Sequence, residues 1–215
     1  MDQSLYYLVQ EPEVVLESNP VLILLHGFGS NEEDLFSFAS ELPKNYYIIS
    51  VRAPKPLAPY GYAWFDIQFD AYGNKITNDE EAWLAKNLVI DFINEVVNKY
   101  PIDKDNVNLI GFSQGAILSY AVALTQPKLV NKVVALSGYF KKDLSKDLLP
   151  QEEYNHLNFF ISHGTVYQVI SIEDARKISP ILTELGITHT YKEYPVGHGV
   201  APQNFYDLRK FIEEN

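Results

Sequence analysis

Short apolar runs alternate with amphipathic stretches along the chain. The run Val21-Leu22-Ile23-Leu24-Leu25 is continuously apolar, as is typical of a central strand covered on both faces. Runs of this kind, bounded by turn residues and separated by helical patterns, indicate a mostly parallel sheet flanked by helices. The predicted strands are Leu5–Val9, Val14–Leu16, Val21–Leu25, Tyr46–Val51, Val107–Phe112, Lys132–Ser137, Asn158–Ser162 and His189–Tyr194.

Helical patterns occupy the stretches between these strands. Asn31 suits the N-cap of the first helix, and Pro202 suits the first turn of the last. The predicted helices are Glu32–Glu41, Glu80–Lys99, Gln114–Thr125, Ile172–Leu185 and Gln203–Glu213. No repeat, low-complexity tract or linker interrupts the alternation, so we expect a single domain over residues 1–215.

From Arg52 to Asp79 the periodicity is lost. Loops of this length are usually functional or disordered, and the aromatic content of this one argues against disorder. Two interpretations stay open. The rings either pack the insertion onto the sheet or form a wall against a substrate, with Trp64 as the candidate contact.

Composition and charge argue against several classes of protein. The formal net charge of −11 over 215 residues disfavours a nucleic-acid footprint and electrostatic adhesion to anionic membranes. The chain has no cysteine, so neither a disulfide framework nor a thiol nucleophile is possible. The start, Met1-Asp2-Gln3-Ser4, lacks the features of a signal peptide, and no apolar run is long enough to span a bilayer. We therefore expect no stable membrane insertion, and the cytoplasm is the default compartment.

The most informative motif is Gly111-Phe112-Ser113-Gln114-Gly115, which lies between a predicted strand and a predicted helix. A G-x-S-x-G pentapeptide in this context is the nucleophile elbow of α/β-hydrolases. The turn is so tight that side chains at its two ends would collide, and glycine removes that collision. The fold class expected is therefore an α/β-hydrolase fold with Ser113 as the nucleophile.

A serine hydroxyl needs a base, and in this fold the base is a histidine downstream of the serine. His26 and His163 each end a predicted strand and precede glycine, positions that suit structural hydrogen bonds to the backbone. His198 lies in Pro195-Val196-Gly197-His198-Gly199, a loop after the last strand and before the last helix. We take His198 as the base, because this loop delivers the catalytic histidine in α/β-hydrolases.

Acyl transfer also needs fixed N–H donors for the oxygen that becomes negative. One is expected to be the backbone N–H of Gln114, and the other the N–H of Phe28 in the loop Leu25-His26-Gly27-Phe28-Gly29. The same loop resembles the start of a dinucleotide fingerprint, but the third glycine is missing.

The triad acid is absent from its usual place. The loop after Asn158–Ser162 runs from His163 to Ile170 without a carboxylate, and the first acids, Glu173 and Asp174, lie in the next predicted helix. There these two carboxylates also suit the helix dipole.

Several motifs together resemble the carboxylesterase/lysophospholipase family that includes the acyl-protein thioesterases. The likeness runs from about Val21 to the C-terminus and rests on Leu25-His26-Gly27-Phe28-Gly29, Arg52-Ala53-Pro54, Trp64-Phe65-Asp66, the elbow with Gln114, Ser137-Gly138, His163-Gly164-Thr165 and the Gly197-His198 loop. The resemblance implies Ser113 and His198 as triad members and Phe28 and Gln114 as oxyanion donors. It also implies an aspartate one residue after Val166, where this chain has Tyr167.

Three explanations of the missing aspartate stay open. The first is a weakened enzyme with Tyr167 at the acid position. The second is an acid taken from elsewhere, with Asp143 as the alternative and Glu173, Asp174 and Asp66 as weaker candidates. The third is that the Tyr167 hydroxyl orients His198 without a charge; a phenol is neutral near pH 7 and would stabilise an imidazolium poorly.

No metal or phosphate motif is present, and no cofactor is expected. The sequence therefore predicts a serine carboxylesterase acting on short- to medium-chain esters, and the resemblance extends this range to lysophospholipids or thioesters. The expected partner is a small-molecule ester substrate, and the chain is a monomer or a homodimer. The alternative is a non-catalytic ligand-binding protein that kept the fold and the pocket.

Overall fold

The central feature is a seven-stranded sheet, seen in a computed structural model that describes residues 5–69, 75–146, 148–166 and 170–214. Six of its strands are parallel, and the first is antiparallel to its neighbour at one edge. In spatial order the strands are β1 (Tyr7–Gln10), β3 (Tyr47–Val51), β2 (Asn19–Leu25), β8 (Ile102–Phe112), β9 (Lys132–Leu136), β10 (Asn158–Gly164) and β11 (Thr188–Tyr194).

Helices cover both faces of this sheet. Along β2 the odd-numbered side chains Val21, Ile23 and Leu25 pack into one apolar cluster, and Leu22 and Leu24 pack into another. The helices are α1 (Glu33–Phe36), α2 (Asp79–Lys99), α3 (Gln114–Thr125), α4 (Ile172–Arg176), α5 (Ile178–Glu184) and α6 (Pro202–Glu213). α2, α3 and α5 cover the first cluster and α1 and α6 the second, so the predicted α/β-hydrolase architecture with a mostly parallel sheet is confirmed.

The predicted insertion contains two small antiparallel pairs. β4 (Lys55–Pro56) pairs with β5 (Tyr62–Ala63), and β6 (Ile67–Phe69) pairs with β7 (Lys75–Thr77). The chain then enters α2, whose N-cap Asn78 accepts a hydrogen bond from the Glu81 N–H at 3.1 Å. The described part of the insertion therefore contains short strands that periodicity did not reveal.

The predicted strand Val14–Leu16 is wrong. These side chains are exposed, and the backbone is held in a turn by the Asn19 amide, which accepts from Leu16 N at 3.0 Å and donates to Val14 O at 2.9 Å. Val14 N donates to Lys44 O at 3.0 Å. An apolar run without a neighbour to cover it thus remains irregular.

Two predicted helices are shorter or divided. The segment predicted as Glu32–Glu41 forms α1 and then a separate 3₁₀ turn at Ala39–Glu41. The segment predicted as Ile172–Leu185 is two helices, α4 and α5, that meet at Lys177. Gln114–Thr125 has the predicted bounds because all its residues through Leu124 are buried.

Candidate active site

Ser113 stands on a strained turn between β8 and α3. Its φ is 53° and its ψ −110°, a conformation that L-residues adopt only when the surrounding structure holds them there. Its N–H donates to Leu136 O at 2.9 Å, and its own carbonyl accepts from Ile117 N at 3.1 Å. The serine residue is 8 % exposed.

The two glycines of the elbow leave no space for a side chain. A Cβ on Gly111 would lie 2.6 Å from Ala116 N, and one on Gly115 would lie 2.5 Å from the carbonyl carbon of Leu25. The first contact is between the end of β8 and the first turn of α3, and the second is between α3 and β2. The elbow is therefore fixed by backbone packing on both sides.

The loop after β2 lies directly against Ser113. A Cβ built on Gly27 would be 3.3 Å from Ser113 Cβ, and the next side chain, Phe28, is 43 % exposed. Gln114 is the first residue of α3, so its backbone N–H has no acceptor within the helix. The sequence-predicted donor positions, Phe28 and Gln114, thus flank Ser113 from two different elements.

The insertion holds this loop in place through the backbone. Gly29 N donates to Tyr62 O at 2.9 Å, and Tyr62 N donates to Ser30 O at 2.7 Å. Gly61, with φ of 91°, approaches so closely that a Cβ there would be 2.6 Å from the Gly29 carbonyl carbon. The loop is in effect an added strand of the insertion.

Trp64 supports the loop from below, which corrects its expected place in a substrate wall. Its side chain is 1 % exposed, and Nε1 donates to His26 O at 2.9 Å. The side-chain amide of Gln114 then ties the insertion to the elbow, accepting from Trp64 N at 3.0 Å and donating to Phe65 O at 2.7 Å. A buried indole N–H needs a hydrogen-bond acceptor, and the His26 carbonyl supplies it.

His26 and His163 make backbone hydrogen bonds, as their positions before glycine predicted. His26 Nε2 accepts from Ala53 N at 3.0 Å, so the proton resides on Nδ1, which donates to Gly27 O at 2.8 Å. Burial lowers the pKa of His26 and keeps the ring neutral. His163 Nε2 lies 3.1 Å from Ile170 O, and burial lowers its pKa as well.

Glu32 and Arg52 form an ion pair beneath the same loop. Arg52 Nε donates to Glu32 Oε2 at 2.7 Å, a second guanidinium N–H donates to Oε1, and the guanidinium lies between the rings of Tyr6 and Tyr62 at 4.1 and 4.6 Å. Hydrogen bonding to Arg52 lowers the pKa of Glu32. Because Ser50 Oγ donates to Glu32 O at 2.6 Å, the loop, the pair and β3 form one connected unit.

His198 is exposed and lies beside Phe112, the residue that precedes Ser113. Its ring centroid is 4.5 Å from that of Phe112, with an interplanar angle of 39°. The loop that carries it packs on the end of β10, where Val166 N donates to Val196 O at 3.2 Å and a Cβ on Gly164 would lie 3.1 Å from the Val196 carbonyl carbon. The structure thus brings the loop of His198 to the elbow.

A cavity of about 340 Å³ opens between His198 and the loop after β2. The same cavity has Phe28 and Phe112 in its wall, together with Asp34 from α1. Asp34 was not singled out from the sequence, because an acidic residue in the first turn of a helix is ordinary there. No sequence signal separates a solvated acid of this kind from one that faces a cavity.

The triad acid has no assigned residue. Tyr167 lies outside the described residues. Asp143 follows β9 in a 3₁₀ turn, where its side chain is 53 % exposed and pairs with Lys146 at 3.2 Å. The weaker candidates Asp66 and Asp174 pair with lysines at 2.8 and 2.5 Å, and Glu173 is exposed.

Residues 5–69, 75–146, 148–166 and 170–214 contain neither a metal-binding cluster nor a membrane-spanning helix. No group of three or more histidine, cysteine or acidic side chains there is arranged to hold a metal ion. None of the helices in those ranges has the length and apolar character needed to cross a membrane.

Known proteins resemble this chain in sequence and in fold. The family model described as phospholipase/carboxylesterase matches residues 8–215. An acyl-protein thioesterase 1 from Debaryomyces hansenii is 28 % identical over 215 residues, which cover 90 % of each chain. Among solved structures, a carboxylesterase from Mesorhizobium loti superposes with a TM-score of 0.82 at 19 % identity, covering 100 % of this chain and 97 % of its own. A Bacillus cereus carboxylesterase gives 0.80 at 20 % identity, covering 99 % and 95 %.

Proposed function

The chain belongs to the phospholipase/carboxylesterase family and is a carboxylic ester hydrolase, and from this premise we propose that it hydrolyses its ester through an acyl-enzyme on Ser113. The observation that carries the proposal is the strained φ of 53° at Ser113, held against the Gly27-Phe28 loop. Strain of this kind persists where surrounding structure enforces it, and it presents the hydroxyl above the sheet.

In the proposed reaction the Ser113 oxygen attacks the acyl carbonyl while His198 takes the hydroxyl proton. The N–H groups of Phe28 and Gln114 donate to the oxygen that becomes negative. His198 then returns the proton to the leaving oxygen, and the acyl group stays bonded to Ser113. A water molecule, deprotonated by the same imidazole, then attacks the acyl carbon; the bond to Ser113 breaks, His198 returns the proton to the Ser113 oxygen, and the acid is released.

The size of the cavity supports small esters as substrates. Its volume of about 340 Å³ is at the lower end of the range for ligand pockets. Short- to medium-chain carboxylic esters fit that space, and lysophospholipids or thioesters with part of the chain outside it are the extension that the family suggests. The relative from Debaryomyces hansenii is named a thioesterase, which supports including thioesters in a substrate panel.

We further propose that Tyr167 occupies the position of the acid and leaves the enzyme weakened. Removing the triad acid in serine proteases costs about 10⁴-fold in turnover and still leaves catalysis above the rate in water. Asp143 remains the alternative acid, although its contact with Lys146 holds its carboxylate at the surface.

The test is kcat/KM on p-nitrophenyl butyrate for the wild type, Ser113→Ala and Tyr167→Asp. We expect Ser113→Ala to abolish turnover and Tyr167→Asp to raise kcat/KM by about 100-fold or more. A fast wild type that gains nothing from Tyr167→Asp would point instead to Asp143, which Asp143→Asn then tests.

A fluorophosphonate probe separates the enzyme from a non-catalytic ligand-binding protein. The probe reacts covalently with an activated serine, so labelling that disappears in Ser113→Ala supports the enzyme. Absence of both labelling and turnover in the wild type and in Tyr167→Asp would refute the esterase mechanism and favour the binding protein.

We also propose that residues 1–215 fold as one domain and act in the cytoplasm, as a monomer or a homodimer. The family match over residues 8–215 supports the first statement. Sedimentation of the purified chain decides the oligomeric state.

A further inference from the structure

The cavity beside His198 contains a carboxylate that is bonded to a hydroxyl. Asp34 projects from α1 into the wall, and its Oδ2 accepts a hydrogen bond from Ser30 Oγ at 2.6 Å. Ser30 belongs to the loop that also carries Phe28, so the carboxylate is held at a fixed place relative to the oxyanion donors. A negative charge is thus built into the space next to the nucleophile.

No protein cation neutralises this charge in the part of the chain that the structure describes. The ion pairs there engage five other aspartates with lysine, namely Asp66, Asp79, Asp143, Asp174 and Asp207, but none engages Asp34. Ser30 supplies one hydrogen bond to one carboxylate oxygen and leaves further acceptor capacity. The electrostatic attraction of Asp34 is therefore available to a ligand in the cavity.

Three phenylalanine rings line the same cavity. Phe28 is 43 % exposed, Phe38 packs on Phe205 with ring centroids 4.8 Å apart, and Phe112 packs on His198. Aromatic faces attract cations, and quaternary ammonium groups are recognised by such rings because they are bulky and cannot donate hydrogen bonds. A carboxylate together with aromatic rings suits a quaternary ammonium group better than a neutral or anionic one.

The reaction fixes which end of the substrate meets this wall. His198 returns its proton to the leaving oxygen, so the alcohol part of the ester lies on the side of His198. We propose that the enzyme prefers esters of quaternary-ammonium alcohols, whose cationic group is held by Asp34 and the phenylalanine rings. This inference rests on the proposed function. Asp34 is then a specificity-determining residue of the leaving-group site.

The test compares two esters of the same shape and different charge. Butyrylcholine carries a trimethylammonium group, and 3,3-dimethylbutyl butyrate has a tert-butyl group in its place. Release of butyric acid, followed by pH-stat titration, gives kcat/KM for both. We expect the wild type to prefer the cationic ester by about 10-fold, from an ion pair and a cation–π contact at a partly exposed site.

The informative variant is Asp34→Asn, with Glu33→Gln as the matched control. Glu33 is the preceding residue of α1, is exposed, and does not line the cavity, so both variants remove one negative charge from the same helix. We expect Asp34→Asn to reduce the preference to about 2-fold, because the phenylalanine rings alone remain, and Glu33→Gln to keep it. The ratio of the two esters cancels any effect of Asp34 on His198 itself.

Failure of this inference is distinguishable from failure of the esterase mechanism. Turnover of both esters with no preference, or a preference that survives in Asp34→Asn, overturns the cation site and leaves the esterase intact. If neither ester is turned over, calorimetric titration with phenyltrimethylammonium decides. Binding that is lost in Asp34→Asn and kept in Glu33→Gln supports the site, and absence of binding to the wild type overturns it.

Discussion

Replacing Gly115 by alanine tests how closely the elbow depends on backbone contact with β2. The added Cβ would lie 2.5 Å from the carbonyl carbon of Leu25 and 2.8 Å from its Cβ. Carbon atoms in contact are about 3.5 Å apart at their closest, so α3 must move by about 1 Å away from β2. That movement carries the Gln114 N–H away from the loop of Phe28.

Two opposing effects determine how far Gly115→Ala lowers the free energy of unfolding. Overpacking against a rigid backbone costs about 3 kcal/mol, and the helix propensity of alanine over glycine returns up to about 1 kcal/mol. The net loss of about 2 kcal/mol lowers Tm by about 4–8 °C for a chain of this size. A displacement of about 1 Å at the reacting groups lowers kcat/KM by about 100-fold.

The assays are differential scanning calorimetry and p-nitrophenyl butyrate hydrolysis, with Gly199→Ala as the control for stability. A Cβ on Gly199 has no atom within 4 Å, so we expect its Tm to stay within about 2 °C of the wild type. A Gly115→Ala protein that melts within about 2 °C of the wild type and keeps its activity would show that α3 does not depend on this close approach to β2.

Two further predictions concern buried charges. Glu32→Gln removes one partner of the pair with Arg52 and should cost about 2 kcal/mol at pH 7, less than a fully buried pair because the Arg52 side chain is 31 % exposed. Because the folded-state pKa of Glu32 is lowered, this stabilisation is complete above its unfolded pKa of about 4.3 and is lost as the pH falls through the lower folded value. Urea unfolding of both proteins at pH 7 and at about pH 3.5 measures the difference, and a difference that stays constant contradicts the assignment. Lys132→Met should cost about 2 kcal/mol, because buried Lys132 Nζ donates to carbonyls at the end of α6, among them Ile212 O at 3.2 Å. Lys128→Met, at a side chain 81 % exposed, should lower the free energy of unfolding by less than about 0.5 kcal/mol in the same urea experiment. Equal losses of stability in the two variants would contradict a stabilising role for the hydrogen bonds from Lys132 to the end of α6.

Elements buried on all sides were predictable from the sequence. The strand with Val21–Leu25 and the helix Gln114–Thr125 are surrounded by apolar neighbours, so hydrophobic pattern alone determines them. The elbow and the structural roles of His26 and His163 were predicted from neighbouring glycines, because glycine marks places where the backbone turns tightly or approaches another segment closely.

Features that depend on partners distant in sequence were not predictable. Val14–Leu16 has the composition of a strand, but the side chain of Asn19 and the carbonyl of Lys44 hold it in a turn. Trp64 became a support below the loop because the His26 carbonyl accepts its N–H. Asp34 faces a cavity formed with residues distant in sequence, among them Phe112 and His198, and the periodicity of Glu32–Glu41 does not show such contacts.

The hydrogen bonds at the carboxyl ends of the strands hold Ser113 and His198 to different extents. The Ser113 amide is bonded to Leu136 O, and the Ser137 amide to Ser162 O, so the serine belongs to the ladder of β8, β9 and β10. Its amide proton exchanges with solvent only when that ladder opens. His198 is exposed and sits between Gly197 and Gly199, where an added Cβ would meet no atom within 4 Å. We expect the amides around it to exchange before those of the ladder. On heating, the loop of His198 is therefore expected to open before the sheet does, so that inactivation precedes global unfolding.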